Sequence, residues 1–251
     1  MIPKLVAHRG YMHDYPENSL LGLEKALEAG ACMVEFDVQL SADHQVLVMH
    51  DSDFERTAGK PDSLFELKQA DIKKISVHEP KRFGNKFSPT PVPTLKQVMD
   101  LIKKFPDATA FVEIKDESLE RWGFEFVMYK LHETLKPYAS QCVVIAYTLK
   151  AVQDVKQRGI CRTGWILKSF DDEHQQLAQQ LKPDYMICNH KKIPDGVKLT
   201  GSSWQECGSW MIYDISDPEQ ALQWAKRGVD LVETSDVGGM LKHPELKKST
   251  C

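Results

Sequence analysis

The chain has 251 residues, of which 42% are hydrophobic and 27% charged, as expected for a soluble globular protein with one large α/β domain or two small ones. The formal net charge of −4 argues against a nucleic-acid-binding protein, which usually carries a basic stripe. No run approaches the roughly 18 apolar residues of a membrane span, and the first residues are typical of a strand rather than of a signal peptide.

Strand-like and helical segments alternate along the chain. Short apolar runs bounded by turn residues predict strands, and apolar side chains at 3.6-residue spacing predict helices. The predicted strands are residues 4–8, 33–41, 110–115, 142–147, 163–167, 185–189, 210–213 and 231–234. The predicted helices are residues 20–30, 94–105, 119–135, 148–158, 171–181, 217–228 and, shorter, 239–246. Eight such units in about 250 residues fit an α/β protein with a closed (β/α)8 TIM barrel.

A doubly wound open sheet is the alternative architecture, but the sequence has no GxGxxG or GxxxxGK[ST] loop.

An extra strand-like run, residues 46–50, follows the second strand after a turn at residues 42–45. Reflecting the chain about that turn places His50 roughly opposite Asp37 in a hairpin.

Residues 52–93 lack sustained periodicity and are rich in Gly and Pro. So long an irregular segment within a compact domain is usually functional or inserted. We therefore predict a single domain, residues 1–251, in which residues 52–93 form an inserted subdomain or lid with a short helix around residues 64–75.

Two carboxylates stand out on the second predicted strand. Side chains alternate along a strand, so Glu35 and Asp37 point to one face while Val34, Phe36 and Val38 point to the other. At roughly 4 Å, two carboxylates repel by about 4 kcal/mol at an effective dielectric of about 20. A bound cation, or a proton held by one carboxylate, would relieve this repulsion.

Other polar residues are predicted at the strand ends, where a barrel of this type carries its active site. The early strands contribute the charged groups, namely His8, Arg9, His50, Glu113 and Lys115. The later strands offer Tyr147, Lys168, Asn189 or His190, Asp214, and Thr234 with Ser235. Trp210 is either a core residue or a wall of the substrate site.

This set of side chains has a chemical interpretation. Three carboxylates suit Mg²⁺ or Ca²⁺, and Arg9 and Lys115 would bind an anion, phosphate above all. Two histidines near one cation can act as general acid and base at neutral pH. Together these groups suggest phosphoryl transfer with displacement of an alcohol.

Several motifs also resemble the signature of the glycerophosphodiester phosphodiesterase family. They are His8-Arg9-Gly10, Pro16-Glu17-Asn18-Ser19, Glu35-x-Asp37-Val38, His50-Asp51, Arg56-Thr57, Val92-Pro93-Thr94-Leu95 and Glu113-x-Lys115. Trp210 and Gly228-Val229-Asp230 with Thr234 resemble the family's C-terminal blocks. The similarity spans nearly the whole chain and keeps the order of the motifs.

The resemblance implies a TIM barrel with a small insertion after the second strand, which residues 52–93 would be. It implies one divalent cation, Mg²⁺ or Ca²⁺, held by Glu35, Asp37 and Glu113. It further implies His8 and His50 as the acid–base pair, and Arg9 and Lys115 as contacts to the substrate phosphate.

Members of the family release an alcohol from a glycerophosphodiester, such as glycerophosphocholine or glycerophosphoethanolamine, and leave sn-glycerol 3-phosphate. In the implied path, the substrate's own glycerol hydroxyl attacks the phosphorus and gives a cyclic phosphate, which water then opens. Two other functions stay open: a catalytically silent barrel that binds phosphorylated ligands, and an enzyme acting on a lysophospholipid or phosphoinositide.

The six cysteines show no CxxC or other metal-ligand spacing. Several lie in apolar runs, where reduced, buried thiols are usual. The sequence therefore predicts a cytoplasmic protein with a small-molecule substrate, no nucleic-acid partner and no stable membrane association; a homo-oligomer stays open.

Overall fold

Eight parallel strands close into a barrel, as the sequence predicts. The computed structural model describes residues 2–250. The strands are β1 (Lys4–Ala7), β2 (Met33–Leu40), β3 (Val46–Val48), β4 (Thr109–Ile114), β5 (Cys142–Ala146), β6 (Arg162–Ile166), β7 (Tyr185–Asn189), β8 (Ser209–Tyr213) and β9 (Leu231–Thr234). β1 pairs in parallel with both β9 and β2, which closes the ring. β3 pairs antiparallel with the carboxyl-terminal end of β2.

Helices connect the barrel strands and cover them on the outside. They are α1 (Leu20–Glu28), α2 (Glu55–Ala58), α3 (Gln69–Ile72), α4 (Pro80–Phe83), α5 (Leu95–Ile102), α6 (Asp116–Trp122), α7 (Phe124–Leu135), α8 (Leu149–Arg158), α9 (Asp172–Leu181), α10 (Pro218–Lys226) and α11 (Val237–Met240). In residues 2–250, no helix has the length and apolar character needed to cross a membrane.

Three helix predictions need correction. The helix predicted at 119–135 is two helices, because Gly123 with φ +85° interrupts it. The helix predicted at 64–75 is the single turn α3, and the one predicted at 239–246 is α11 followed by a 3₁₀ turn at Leu246–Ser249.

The hairpin register also differs by one residue from the prediction. β2 and β3 pair Leu40 with Val46, so the connecting turn has five residues, 41–45, rather than four. Met49, not His50, is therefore opposite Asp37, and its N–H donates to the Asp37 carbonyl at 3.0 Å. His50 lies just beyond, where its carbonyl accepts a hydrogen bond from Gln39 Nε2 at 2.8 Å.

The inner face of the barrel changes from apolar to polar along the strands. Early positions on the strands form a small buried cluster that includes Met33, Phe111, Met211 and Leu231. Two residues further on, the same face carries Glu35 on β2, Glu113 on β4, Tyr213 on β8 and Glu233 on β9. Val34, Phe36 and Val38 point to the other face, as predicted, and belong to the core cluster that includes the buried residues of the helices. The polar groups are thus gathered at the carboxyl ends of the strands.

The segment 52–93 contains α2, α3 and α4 and has a hydrophobic cluster of its own. Its buried members are Leu47, Met49, Phe54, Leu64, Ile72, Ile75, Val77 and Val92. Because this cluster also includes two residues from the β3 region, the segment packs onto the hairpin. We propose that it is an inserted subdomain within a single domain.

The cysteines within residues 2–250 are of two kinds. Cys142, Cys161, Cys188 and Cys207 are free, and all but Cys161 are buried, which agrees with the prediction of reduced thiols. Cys32 is disulfide-bonded, which that prediction did not include.

Gly10 sets the position of the loop that follows β1. It has φ +82°, and a Cβ there would lie 2.7 Å from the carbonyl carbon of Gly22 at the start of α1. We expect Gly10→Ala to lower the free energy of unfolding by about 2–5 kcal/mol, since a left-handed backbone and overpacking both oppose it. Urea denaturation measures this loss. Gly59→Ala is the control, because Gly59 has φ +67° with nothing within 4 Å of its Cβ position. Equal losses in the two variants would show that the contact with Gly22 is unimportant.

Candidate active site

A cavity of about 160 Å³ opens at the carboxyl ends of the barrel strands. Its lining includes His8, Arg9, His50, Glu113 and Lys115, which the sequence predicted to converge. The remaining lining residues are Ile145, Tyr147, Ile166, Ile187, Tyr213, Asp214 and Glu233. The charged residues from the first half of the chain therefore share the cavity with apolar and phenolic side chains from the later strands and with two further carboxylates, Asp214 and Glu233.

Glu35, Asp37 and Glu113 form a compact group of carboxylates. One oxygen from each lies within 4.8 Å of the others, and Glu35 and Asp37 are almost completely buried. Burial and the neighbouring Asp37 charge raise the pKa of Glu113 to about 7 and raise the pKa of Glu35 well above its usual value. Burial also opposes ionisation of Asp37, but the charges of Arg9 and Lys115 lower its pKa. These hard oxygen donors, mutually repelling and out of water, fit a divalent cation such as Mg²⁺ or Ca²⁺.

Two cations border this carboxylate group. Lys115 Nζ lies 2.9 Å from Glu113 Oε1 and 3.5 Å from Asp37 Oδ1. Arg9 Nε lies 3.2 Å from Asp37 Oδ2, at an angle outside hydrogen-bond geometry, so this contact is electrostatic. Arg9 has φ +52°, a left-handed conformation that costs a non-glycine residue about 1–3 kcal/mol and often occurs at functional sites.

The two histidines stand in different surroundings. His8 Nε2 is 4.0 Å from Glu35 Oε2, and burial together with the Arg9 charge lowers the pKa of His8 to about 4. Because this low pKa favours the neutral imidazole, the contact between His8 and Glu35 is not an ion pair. His50 Nδ1 is 2.6 Å from Asp51 Oδ1, which favours the tautomer that carries its proton on Nδ1. The His50 hydrogen bond holds the pKa of Asp51 well below its usual range.

Three residues in or beside the cavity were not assigned a role from the sequence. Asn18 Nδ2 donates to Asp37 Oδ2 at 3.0 Å, and Glu17 accepts from Arg9 Nη1 at 3.0 Å. Both belong to a segment that was interpreted only as a helix start and a family motif. Glu233 offers an oxygen within 4.8 Å of ligand atoms of His8 and Glu35, and burial and Glu113 raise its pKa to about 8. Its signal in the sequence is the one charged residue of the last strand.

Tyr147 follows β5 directly, and Tyr213 is the last residue of β8. Both side chains line the cavity, and their hydroxyl oxygens are 3.0 Å apart. Asp214, which has φ +68°, lies next to this pair and accepts a hydrogen bond from Asn189 Nδ2 at 3.0 Å. The Lys168 side chain does not line the cavity. It is exposed, and its Nζ lies 3.6 Å from Asp116 Oδ2.

The structure does not bring Trp210 to the cavity. β8 begins at Ser209, so Trp210 lies at the start of the strand rather than at its end. Its ring is 2% exposed, packs against Trp204 and Phe170 outside the barrel, and donates through Nε1 to the Trp204 carbonyl. Of the two interpretations of Trp210, the structure supports a core residue. The interpretation of Trp210 as a wall of the substrate site is wrong.

Comparisons with known proteins agree on one family. Residues 8–133 match the glycerophosphoryl diester phosphodiesterase family. A glycerophosphodiester phosphodiesterase of Caldanaerobacter subterraneus is 27% identical over 92% of this chain and 93% of its own length. Glycerophosphodiester phosphodiesterase 1 of Rattus norvegicus is 33% identical over 90% of this chain and 70% of its own.

Solved structures support the same fold. A phosphodiesterase of Oleispira antarctica, solved in complex with the product sn-glycerol-3-phosphate, superposes with a TM-score of 0.85 at 22% identity, covering 96% of both chains. A glycerophosphodiester phosphodiesterase of Thermotoga maritima gives a TM-score of 0.76 at 23% identity, covering 96% of this chain and 98% of its own.

Proposed function

Because the chain belongs to the glycerophosphoryl diester phosphodiesterase family and is a phosphoric diester hydrolase, we propose that it hydrolyses glycerophosphodiesters to sn-glycerol 3-phosphate and an alcohol. Glycerophosphocholine and glycerophosphoethanolamine are the substrates to test first. The observation that carries this proposal is the cavity in which two imidazoles and two cations meet Glu113, which forms a compact group with the buried carboxylates of Glu35 and Asp37.

We propose that Glu35, Asp37 and Glu113 hold one divalent cation. Such a cation would neutralise charge on the phosphoryl oxygens and orient the diester. Asn18 would keep the Asp37 carboxylate in place, because its side chain bonds both the Asp37 oxygen and the Asp37 backbone N–H.

Arg9 and Lys115 are suited to bind the phosphate group. Both side chains reach the cavity and are mostly withdrawn from solvent, with 15% and 11% of the side chain exposed. Partial burial strengthens their attraction for an anion, because water screens them less. The forked guanidinium of Arg9 and the point charge of Lys115 would contact different phosphate oxygens.

His8 and His50 would carry out the proton transfers. One imidazole takes the proton of the glycerol hydroxyl as its oxygen attacks the phosphorus, and the other gives a proton to the departing alcohol. The P–O bond to that alcohol breaks, and a cyclic phosphate is left. Water then opens the ring with the two roles exchanged, and sn-glycerol 3-phosphate is released.

Glycerol 3-phosphate release is the direct test. The protein is incubated with a panel of glycerophosphodiesters in Mg²⁺ or Ca²⁺, with an EDTA-treated sample alongside. We expect turnover with added cation and a loss of at least about 100-fold after chelation, since a catalytic cation contributes several kcal/mol to the transition state. No release from any diester would contradict the function, and release that EDTA leaves unchanged would contradict the cation. Faster turnover of lysophosphatidylcholine would indicate a lipid substrate instead.

A further inference from the structure

Arg56 connects the two sides of the cavity from outside it. It belongs to α2 in the segment 52–93, and its side chain is 44% exposed. Its Nε donates to Asp51 Oδ2 at 2.8 Å, Nη1 to Glu17 Oε2 at 2.6 Å and Nη2 to Glu17 Oε1 at 2.8 Å. All three guanidinium nitrogens are therefore used, and two carboxylates are held by one planar group.

Each of these carboxylates contacts a residue that lines the cavity. Asp51 Oδ1 is 2.6 Å from His50 Nδ1, and Glu17 Oε1 accepts from Arg9 Nη1 at 3.0 Å. A continuous chain of contacts thus runs from the imidazole of His50 through Arg56 to the guanidinium of Arg9. Arg56 itself does not line the cavity.

The segment 52–93 also fixes the backbone of Glu17. Glu79 is 3% exposed, and its Oε1 accepts from the Glu17 backbone N–H at 2.7 Å. Arg82 Nη1 donates to Glu79 Oε2 at 2.7 Å, and Arg82 Nη2 donates to the Met12 carbonyl at 2.6 Å. The side chain and the backbone of Glu17 are thus both held by this one segment.

We propose that Arg56 is a positioning residue, which fixes His50 and Arg9 relative to each other so that the proton donor or acceptor and the bound phosphate are aligned. The proposal rests on the proposed function, because it takes His50 as an acid–base group and Arg9 as a phosphate contact. It assigns a role to the segment 52–93: this segment supplies the guanidinium that joins the loop after β1 to the end of the hairpin.

The geometry explains why an arginine stands at this position. A guanidinium presents donors in a fixed plane, so it can bind Glu17 through two parallel hydrogen bonds and Asp51 through a third nitrogen. An ammonium group keeps the charge but is a single point, which cannot hold both carboxylates in this arrangement. Glu17 is buried, and it still has Arg9 as a partner when Arg56 is removed. The negative charge of Glu17 therefore stays compensated, but the orientation of its carboxylate is lost.

Arg56→Lys and Arg56→Ala test the proposal, with glycerol 3-phosphate release as the assay. We expect both variants to lower kcat by about 10-fold or more, the lower end of what residues behind a site usually contribute, with KM changed by less than about threefold. Low-millimolar guanidinium chloride should restore part of the kcat of Arg56→Ala and leave the wild type unchanged.

Arg158→Ala is the matched control. Arg158 is 46% exposed and its Nε also contacts a carboxylate, Asp154, but on α8 outside the barrel. We expect wild-type kcat from this variant. Circular dichroism and thermal unfolding establish that each variant is folded, and Arg56→Lys carries the test if Arg56→Ala does not fold.

The result that overturns the proposal is wild-type kcat in Arg56→Lys, or a loss in Arg56→Ala that lies entirely in KM. A double variant gives an independent check: Asp51→Asn with Arg56→Ala should lose less kcat than the two single losses multiplied together, because the effect of Arg56 on His50 passes through Asp51. Full additivity would contradict this. Failure of the proposed function is distinguishable, since the wild type would then release no glycerol 3-phosphate.

Discussion

Replacing His50 or His8 by alanine is expected to lower kcat by a factor of about 10²–10⁴ while the fold is retained. Each imidazole lines the cavity, and in the proposed mechanism each transfers a proton, which alanine cannot do. The side chains are 30% and 21% exposed and lie beyond the ends of β3 and β1, so their removal leaves the core intact. Steady-state kinetics with a glycerophosphodiester and thermal unfolding measure the two effects separately.

His174→Ala is the matched control for both variants. The His174 side chain is also 21% exposed, and its Nδ1 is 2.7 Å from Asp171 Oδ1, which reproduces the imidazole–carboxylate pairing of His50 and Asp51. It lies on α9 against Trp165 and does not line the cavity. We expect wild-type kcat from this variant. A His50→Ala enzyme with kcat within about threefold of the wild type would exclude His50 from proton transfer.

The barrel could be predicted because its strands are buried on both faces. A run such as residues 143–145, all apolar, is what a strand between a filled interior and a layer of helices requires. Local breaks were harder to predict. The apolar spacing of a helix continues across Gly123, and only the backbone conformation there, with φ +85°, shows that the helix stops.

The charged side of the cavity was also predictable, because its members come mostly in pairs one or two residues apart on neighbouring strands. Glu35 and Asp37 share a face by strand alternation alone, and Glu113 and Lys115 repeat that spacing on the next barrel strand. Arg56 and Glu17 are 39 residues apart, and no periodicity links them. Their contact depends on how the segment 52–93 folds back over the loop after β1, which only the tertiary structure defines.

Trp210 shows a different kind of error. The predicted strand 210–213 begins at Trp210, one residue from the observed start of β8, so the strand boundary was nearly correct. The substrate-wall interpretation took a large aromatic residue at the amino end of this strand for one at the carboxyl end. In a barrel of this type the active site lies at the carboxyl ends of the strands, so the direction of the strand decides between the mouth of the barrel and its base.

Glu113→Gln is expected to weaken the apparent affinity for the divalent cation by about 100-fold, the upper end of the losses seen when groups around a metal are changed. The substitution keeps the shape of the side chain and one oxygen donor, but it removes one of three negative charges within 4.8 Å of one another. Cation titrations of activity, and of thermal unfolding, give the affinity. Glu28→Gln is the control, because it removes a carboxylate whose partner is also a lysine, Lys25, at 2.6 Å on the surface helix α1.

The same substitution should raise the melting temperature when the cation is chelated. Glu113 has a pKa of about 7 in the folded protein against 4.5 for an unperturbed glutamate, so between these pH values the folded state keeps a proton that the unfolded state has lost. Stability in EDTA should therefore fall as the pH rises from about 4.5 to 7, and Glu113→Gln removes part of that loss. At pH 8 the variant should melt above the wild type in EDTA and gain less from added cation. A lower melting temperature in EDTA, with an unchanged cation response, would show that the Lys115 ion pair outweighs the repulsion and that Glu113 is not a ligand.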